Sequence, residues 1–385
     1  MVAAVRRGLS LRVVARRWGV GKSTVQRWVR HAQGQRLDRV DFSSRPSRPI
    51  RSSRTAPERE TLILDIRQDL QQRSALGEHG AQAIRRELLR RRRLERLPSV
   101  RTIGRVLQRR GVLDGQLRLR RPPPPKGWYL PAVAAAQQEL DSFDLIEDLR
   151  IQDGPMVDVL TGISLYGGLA QAWPTPAQVT SAITLQRLLE HWRAHGRPGY
   201  AQFDNDTRFQ GAHQHRDCIS RVMRLCLALG ISPVFAPPRE PGFQASIEQF
   251  NRRWQEVVWQ RFHHQSLSAL GVQSDLFLAA HRQRYALRLE QAPLRRPVPQ
   301  DFCLDLQARP RGTVIYLRRC TAGGEASLLG QVFPVDRHWP HRLVRCEWDL
   351  DAQCLRFFAL RRREPTWQPL LQEVPHPVPA RPFRE

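Results

Sequence analysis

The chain has 385 residues, 41% of them hydrophobic, and a formal net charge of +26 with a pI near 11.4. The length predicts two to four domains and the hydrophobic share excludes wholesale disorder. A surface this basic repels itself unless a polyanion shares it, and the preference for Arg over Lys suits phosphate oxygens gripped by guanidinium forks.

Residues 1–34 read as a helix-turn-helix. Ser10 is placed to cap a helix over Leu11–Arg17, and Trp18-Gly19-Val20-Gly21 makes a tight turn. A second helix then runs from Lys22 to about His31, with Val25, Trp28 and Val29 inward. Its outward positions, Lys22, Ser23, Thr24, Gln26, Arg27 and Arg30, are the DNA-binding candidates, because such a helix enters the major groove. Residues 1–56 hold fourteen Arg or Lys against two acids, Asp38 and Asp41. Gly21-Lys22-Ser23-Thr24 mimics the end of a phosphate-binding loop. The glycine required five residues earlier is Arg16, and no strand precedes it, so a nucleotide site is excluded.

Residues 35–60 form a polar linker. Residues 61–121 give a second helical region whose helix-turn-helix lies over 80–113, with Arg101 and Arg105 as its DNA-binding candidates and Arg90-Arg91-Arg92-Arg93 as a phosphate clamp or a solvated face. Pro122–Pro125 is a stiff spacer. Residues 126–300 alternate strand and helix signals. Three segments there carry acids: Phe143-Asp144-Leu145-Ile146 before the strand Val157–Leu160, Tyr200–Phe203 ending in Asp204, and a Pro-rich turn leading to a helix with Glu248 and Asn251. Carboxylates drawn from two strands and a helix suit two Mg²⁺ or Mn²⁺ ions rather than zinc. Residues 310–363 switch to short strands separated by Gly and Asp turns, which predicts a small antiparallel β-barrel, and 364–385 read as an irregular tail. His213, His215 and Cys218 lack a fourth ligand and read as a solvated or DNA-facing loop.

Six cysteines without a CxxC pair point to a reducing interior. The N-terminus has no apolar leader and no run spans a bilayer, so the expectation is a soluble cytoplasmic, nucleoid-associated protein with no membrane partner.

Residues 126–300 resemble the catalytic core shared by retroviral integrases and bacterial insertion-sequence transposases, an RNase H-like mixed-sheet α/β fold. Phe203-Asp204-Asn205-Asp206-Thr207-Arg208-Phe209 is similar to the family's Asp-Asn-Gly-x-x-Phe strand end, with Asp206 in place of the glycine. Pro241 to Asn251 is similar to its third motif, with Glu248 as the acid. Phe143-Asp144 followed by Leu-Ile-Glu-Asp-Leu stands at the first acid, with Asp141 as the alternative. The resemblance implies a DDE-type enzyme whose catalytic and metal-binding residues are Asp144, Asp204 and Glu248. It would cut DNA at element ends, join the freed 3′-hydroxyl to target DNA, and work as a homo-oligomer. The alternative function is an inactive transposase-derived DNA-binding regulator. The expected architecture is multidomain: α modules, an α/β core, then the β-barrel.

Overall fold

The computed structural model describes residues 1–43, 55–91, 96–113, 126–176, 178–211, 215–240, 242–378 and 383. The Pro122–Pro125 spacer, Arg92, Arg93, His213 and Pro241 lie outside the described residues. Two compact units divide the chain, Met1–Pro57 and Glu58–Glu385.

In the first unit, α1 (Val2–Arg6), α2 (Leu11–Arg17) and α3 (Lys22–His31) close on Ala4, Val14, Ala15 and Val25. Ser10 Oγ accepts from the Val13 amide and so satisfies one orphan donor of α2. Gly19 takes φ of 63°, the left-handed conformation that the turn between α2 and α3 needs. Gly21, the residue before α3, follows a turn rather than a strand, so the Gly-Lys-Ser-Thr run belongs to a helix start.

The second unit begins with α4 (Pro57–Arg73), α5 (Ala81–Arg90) and α6 (Val100–Arg109), which bury Ile63, Ile66, Ile84, Leu88, Ile103, Val106 and Leu107 together. Ser99 caps α6 by accepting from the Thr102 amide at 3.1 Å. Of the arginine block's described members, Arg90 is exposed and Arg91 half-buried, and both pair with acids. Arg90 and Arg91 both bind Glu87, and Arg91 also pairs with Asp69. Hydrogen bonding from Arg90 leads in holding the Glu87 carboxyl down to about 2.

After α7 (Pro131–Ala134) comes the sheet that organises the rest. Strands β1 (Leu140–Arg150), β2 (Met156–Ser164) and β3 (Ala170–Pro176) form an antiparallel meander. Helix α8 (Ser181–His195) then crosses to β4 (Tyr200–Phe203), which pairs with β1 in parallel. Helices α9 (Thr207–Gln210) and α10 (Arg221–Ala228) lead to β5 (Ser232–Phe235), parallel to β4. Helix α11 (Ala245–Trp254) continues through a π-helical turn, Gln255–Trp259, and α12 (Leu267–Glu290) packs on β3.

The expected barrel over 310–363 is not present. Strand β6 (Thr313–Arg319) joins the core sheet in parallel with β5, pairing Val234 with Ile315 and Phe235 with Tyr316. Strands β9 (Leu343–Asp349), β10 (Cys354–Ala359) and β11 (Leu370–Pro375) extend the same open sheet, while β7 (Glu325–Leu328) and β8 (Gln331–Pro334) form a separate hairpin. The nine-stranded order is β11-β10-β9-β6-β5-β4-β1-β2-β3. Val314, Ile315, Tyr316 and Leu317 are consecutive and all buried, so β6 is covered on both faces. A wall strand of a small barrel buries alternate residues, whereas a central strand of a layered sheet buries them all. The segment after Pro365 is likewise not wholly irregular, because β11 lies within it. No helix among the described residues is long and apolar enough to cross a membrane.

Candidate active site

Strand pairing brings two acids to one place. The β1–β4 register matches Leu140 to Tyr200, Asp141 to Ala201 and Ser142 to Gln202. The same offset, carried two residues further, sets Asp144 beside Asp204, at the point where β4 ends and its loop begins. Phe143 and Phe203, one residue earlier, stack with ring centroids 5.7 Å apart and are fully buried. The neighbouring acids are thus mounted on the rigid centre of the sheet.

Helix α11 supplies the third group. Ile247, Phe250 and Trp254 bury its inner face, and Glu248 in its first turn is exposed. Asn251, three residues on and therefore on the same side of the helix, donates from Nδ2 to Asp144 Oδ2 at 2.8 Å. Thr161 of β2 donates to Asn251 Oδ1 at 2.7 Å and lies 3.0 Å from the Asp144 carbonyl oxygen. Asp144 is fixed from the helix side by this relay.

Burial is the main cause that pushes the Asp144 carboxyl up to about 6, and the negative charges of Asp204 and Glu248 add to it. Burial also raises Asp204; the Asp206 amide, which donates to Asp204 Oδ1, and Arg208 oppose the rise, and the Asp206 charge adds to it. The Asp204 and Glu248 charges thus place a negative potential at the Asp144 carboxyl. Among the described residues, no group of three or more His, Cys, Asp or Glu side chains gathers closely enough to hold a metal ion. The three acids are electrostatic neighbours and not a closed cage.

Asp141 has a different environment. It is 1% exposed, and Arg295 grips it through Nη1 at 2.9 Å and Nη2 at 2.5 Å. Trp192 Nε1 donates to it at 3.1 Å. Burial pulls its carboxyl upward, but Arg295 overrides that and holds it well below the usual range. Both of its oxygens are committed to structure.

Asp206, in the loop after β4, is neutralised locally. Asp206 caps α9 and receives Nε and Nη2 of Arg208, each at 2.7 Å. Arg208 also reaches Glu147 at 2.7 Å. Glu147 sits where the β1–β2 register shifts between Ile146 and Leu149, with Asp148 at φ of 59°. A bulge of this kind re-aims side chains beside a site.

Sequence reasoning did not single out Thr161 or Arg208, and it read Asn251 only as part of a motif. The i,i+3 spacing from Glu248 was the available signal for Asn251. Nothing local marks Thr161, whose partner is 90 residues away.

The remaining candidates are dispersed. Lys22, Ser23, Gln26, Arg27 and Arg30 are exposed along α3 and Thr24 is half-buried. Arg101 and Arg105 are exposed on α6. His215 is exposed and Cys218 half-buried. A cavity of about 530 Å³ opens beside Asp204, lined by Asn205, Pro237, Pro238, Arg239, Glu240 and Gln244 among others.

Residues 1–40 match a family model described as a homeodomain-like domain. No curated protein matches the chain. Among solved structures, a chain of the simian T-cell lymphotropic virus intasome in complex with PP2A regulatory subunit B56 gamma is similar at 14% identity, over 72% of this chain and 88% of that one, with a TM-score of 0.33. The catalytic core domain of BIV integrase is similar at 17% identity, over 40% of this chain and 96% of that one, with a TM-score of 0.30.

Proposed function

We propose that the chain is a DNA transposase or integrase of the DDE type, which cleaves phosphodiesters at element ends and transfers the freed 3′-hydroxyl to target DNA. The observation that carries the reading is the arrangement of Asp144, Asp204 and Glu248: an acid on β1, a second one residue past the end of the parallel strand β4, and a third on α11, with the latter two near enough to raise the first. The homeodomain-like N-terminal domain, the net charge of +26 and the exposed cations of α3 and α6 support DNA as the partner.

The donor set fits a hard divalent ion. Asp144, already aimed by Asn251 and Thr161, would hold it together with Asp204 and exposed Glu248. Such an ion, Mg²⁺ or Mn²⁺ and one of a pair, would supply charge stabilisation at phosphorus and lower the pKa of an attacking hydroxyl. The chain's own contribution is to hold Asp144 rigid, to keep the Asp206 charge tied to Arg208, and to present an open cavity at Asp204. Two element ends must meet for joining, so the working form is a homo-oligomer.

A second reading, a DNA-binding regulator without catalysis, is favoured by one observation: the three acids do not gather as a metal cage. Strand transfer decides between them. The full chain is incubated with Mg²⁺ and DNA ending in the inverted repeats that flank its gene. Wild type is expected to nick and join, and Asp204→Asn to lose at least a hundredfold in both steps. Specific binding with no cleavage by wild type supports the regulator, and equal activity in the two proteins sinks the acid assignment.

A further inference from the structure

A second cavity, also about 530 Å³, adjoins the one at Asp204, and Asn205 and Pro238 line both. Its wall includes Arg318 of β6, which is 7% exposed. Arg318 donates to neutral oxygens only: Ser327 O at 3.1 Å, Leu317 O at 2.9 Å, Ala236 O at 3.5 Å and Asn205 Oδ1 at 3.0 Å. These use four of its five N–H donors and leave one Nη2 hydrogen. No carboxylate among the described residues pairs with it, and burial lowers its pKa. A desolvated cation without a counter-charge is costly to keep, and an anion entering from the cavity would offset that cost.

The same wall carries a second unmet group. Gln210, at the end of α9, is 9% exposed, and its Oε1 has no hydrogen-bond partner. A buried cation and a buried acceptor facing one cavity ask for a ligand with an anionic group and an N–H donor. The cavity volume falls within the roughly 300–1,000 Å³ of small-molecule pockets.

We propose that this cavity is a single-nucleotide subsite, which takes one unpaired nucleotide of a DNA strand running past Asp204. Its phosphate lies on Arg318 and an N–H donor of its base on Gln210 Oε1. The proposal rests on the DNA-processing reading above and adds a strand-holding element to it. Adenine, cytosine and guanine offer an exocyclic amine and thymine its N3–H, so the subsite takes any of the four bases once unpaired.

The test uses the full chain and a duplex with a short single-stranded tail, with 2-aminopurine moved one position at a time along the tail. Among the described residues that line the cavity the only ring is the His215 imidazole, a weaker stacking partner than a neighbouring base, so a 2-aminopurine lifted out of the DNA stack brightens there. Wild type should show a rise at one tail position. Gln210→Leu, which removes the acceptor at similar volume, should weaken tail-dependent binding about tenfold while leaving blunt-duplex affinity unchanged. Arg318→Met should do the same, with Arg318→Lys recovering part of the loss. No bright position, or Gln210→Leu matching wild type, overturns the subsite. Free dAMP that binds as tightly as the tailed DNA overturns the strand assignment. Asp204→Asn should keep the bright position while cleavage is lost. If Asp204→Asn cleaves normally, the acid reading fails and the subsite stands on the fluorescence alone.

Discussion

Asp144 and Asp141 are three residues apart on one strand and meet opposite fates. Asp141 faces Arg295 and Trp192, so its charge is satisfied inside the protein. Asp144 is near two other acids and, among the described residues, has only the Leu145 amide and Asn251 as donors, and burial with the acids' charges lifts its carboxyl to about 6. The sign follows from linkage. A carboxyl whose folded pKa is raised above its unfolded value favours folding below about pH 4, and that contribution is lost as pH rises through about 6. Asp144→Asn should therefore raise the metal-free melting temperature by a few degrees at pH 8 and leave it nearly unchanged at pH 4. A lower melting temperature at pH 8 would contradict the environment described for Asp144. The choice between the two acids was not legible in the sequence, because Arg295 lies 154 residues from Asp141 and no local pattern announces it. Asp204 was singled out through the resemblance of Phe203–Phe209 to the family's motif, because an acid at the end of a short strand is by itself more often a cap or turn residue.

At the scale of elements, α11 performs two tasks from one turn. It presents Glu248 outward and holds Asp144 through Asn251, with Thr161 behind. A positioning residue of this kind is commonly worth 10–100-fold, so Asn251→Ala should lower the cleavage rate by about that factor. DNA affinity should be unchanged, and an unchanged rate would show that the relay does not position Asp144. On α3, Lys22, Arg27 and Arg30 form the exposed cationic face. Replacing one cation that meets a phosphate should reduce the slope of log affinity against log salt by about 0.9. An unchanged slope for all three alanine variants would place the DNA elsewhere. The helices were readable because their signals are short-range: Ser10 and Ser99 cap as their positions suggest, and Gly19 turns as a glycine can. Strand β6 was misread, although Val314 to Leu317 carries the unbroken apolar run of a central strand. Recognising it needs the partner β5, about 80 residues earlier.

For the second unit as a whole, one open sheet joins the acid-bearing strands to the C-terminal strands through β5 and β6. A C-terminal barrel would have been removable. Strand β6 is not, since its loss exposes the backbone of β5 and uncovers Phe235, which stacks on Tyr316 at 5.2 Å. A chain ending at residue 309 should be insoluble or lack cooperative unfolding, while a soluble, sharply melting product would restore the independent barrel. The acids also depend on this continuity, because Asn205 beside Asp204 is held to Ala236 O and to Arg318. The central claim is that Asp144, Asp204 and Glu248 share divalent ions on bound DNA. Its most direct measurement is Mn²⁺ titration followed by electron paramagnetic resonance, on the full chain with DNA. The account predicts tight Mn²⁺ sites in wild type that are weakened at least tenfold in Asp144→Asn, Asp204→Asn and Glu248→Gln alike, whereas Mn²⁺ binding that is absent from wild type or equal in all four proteins would contradict it.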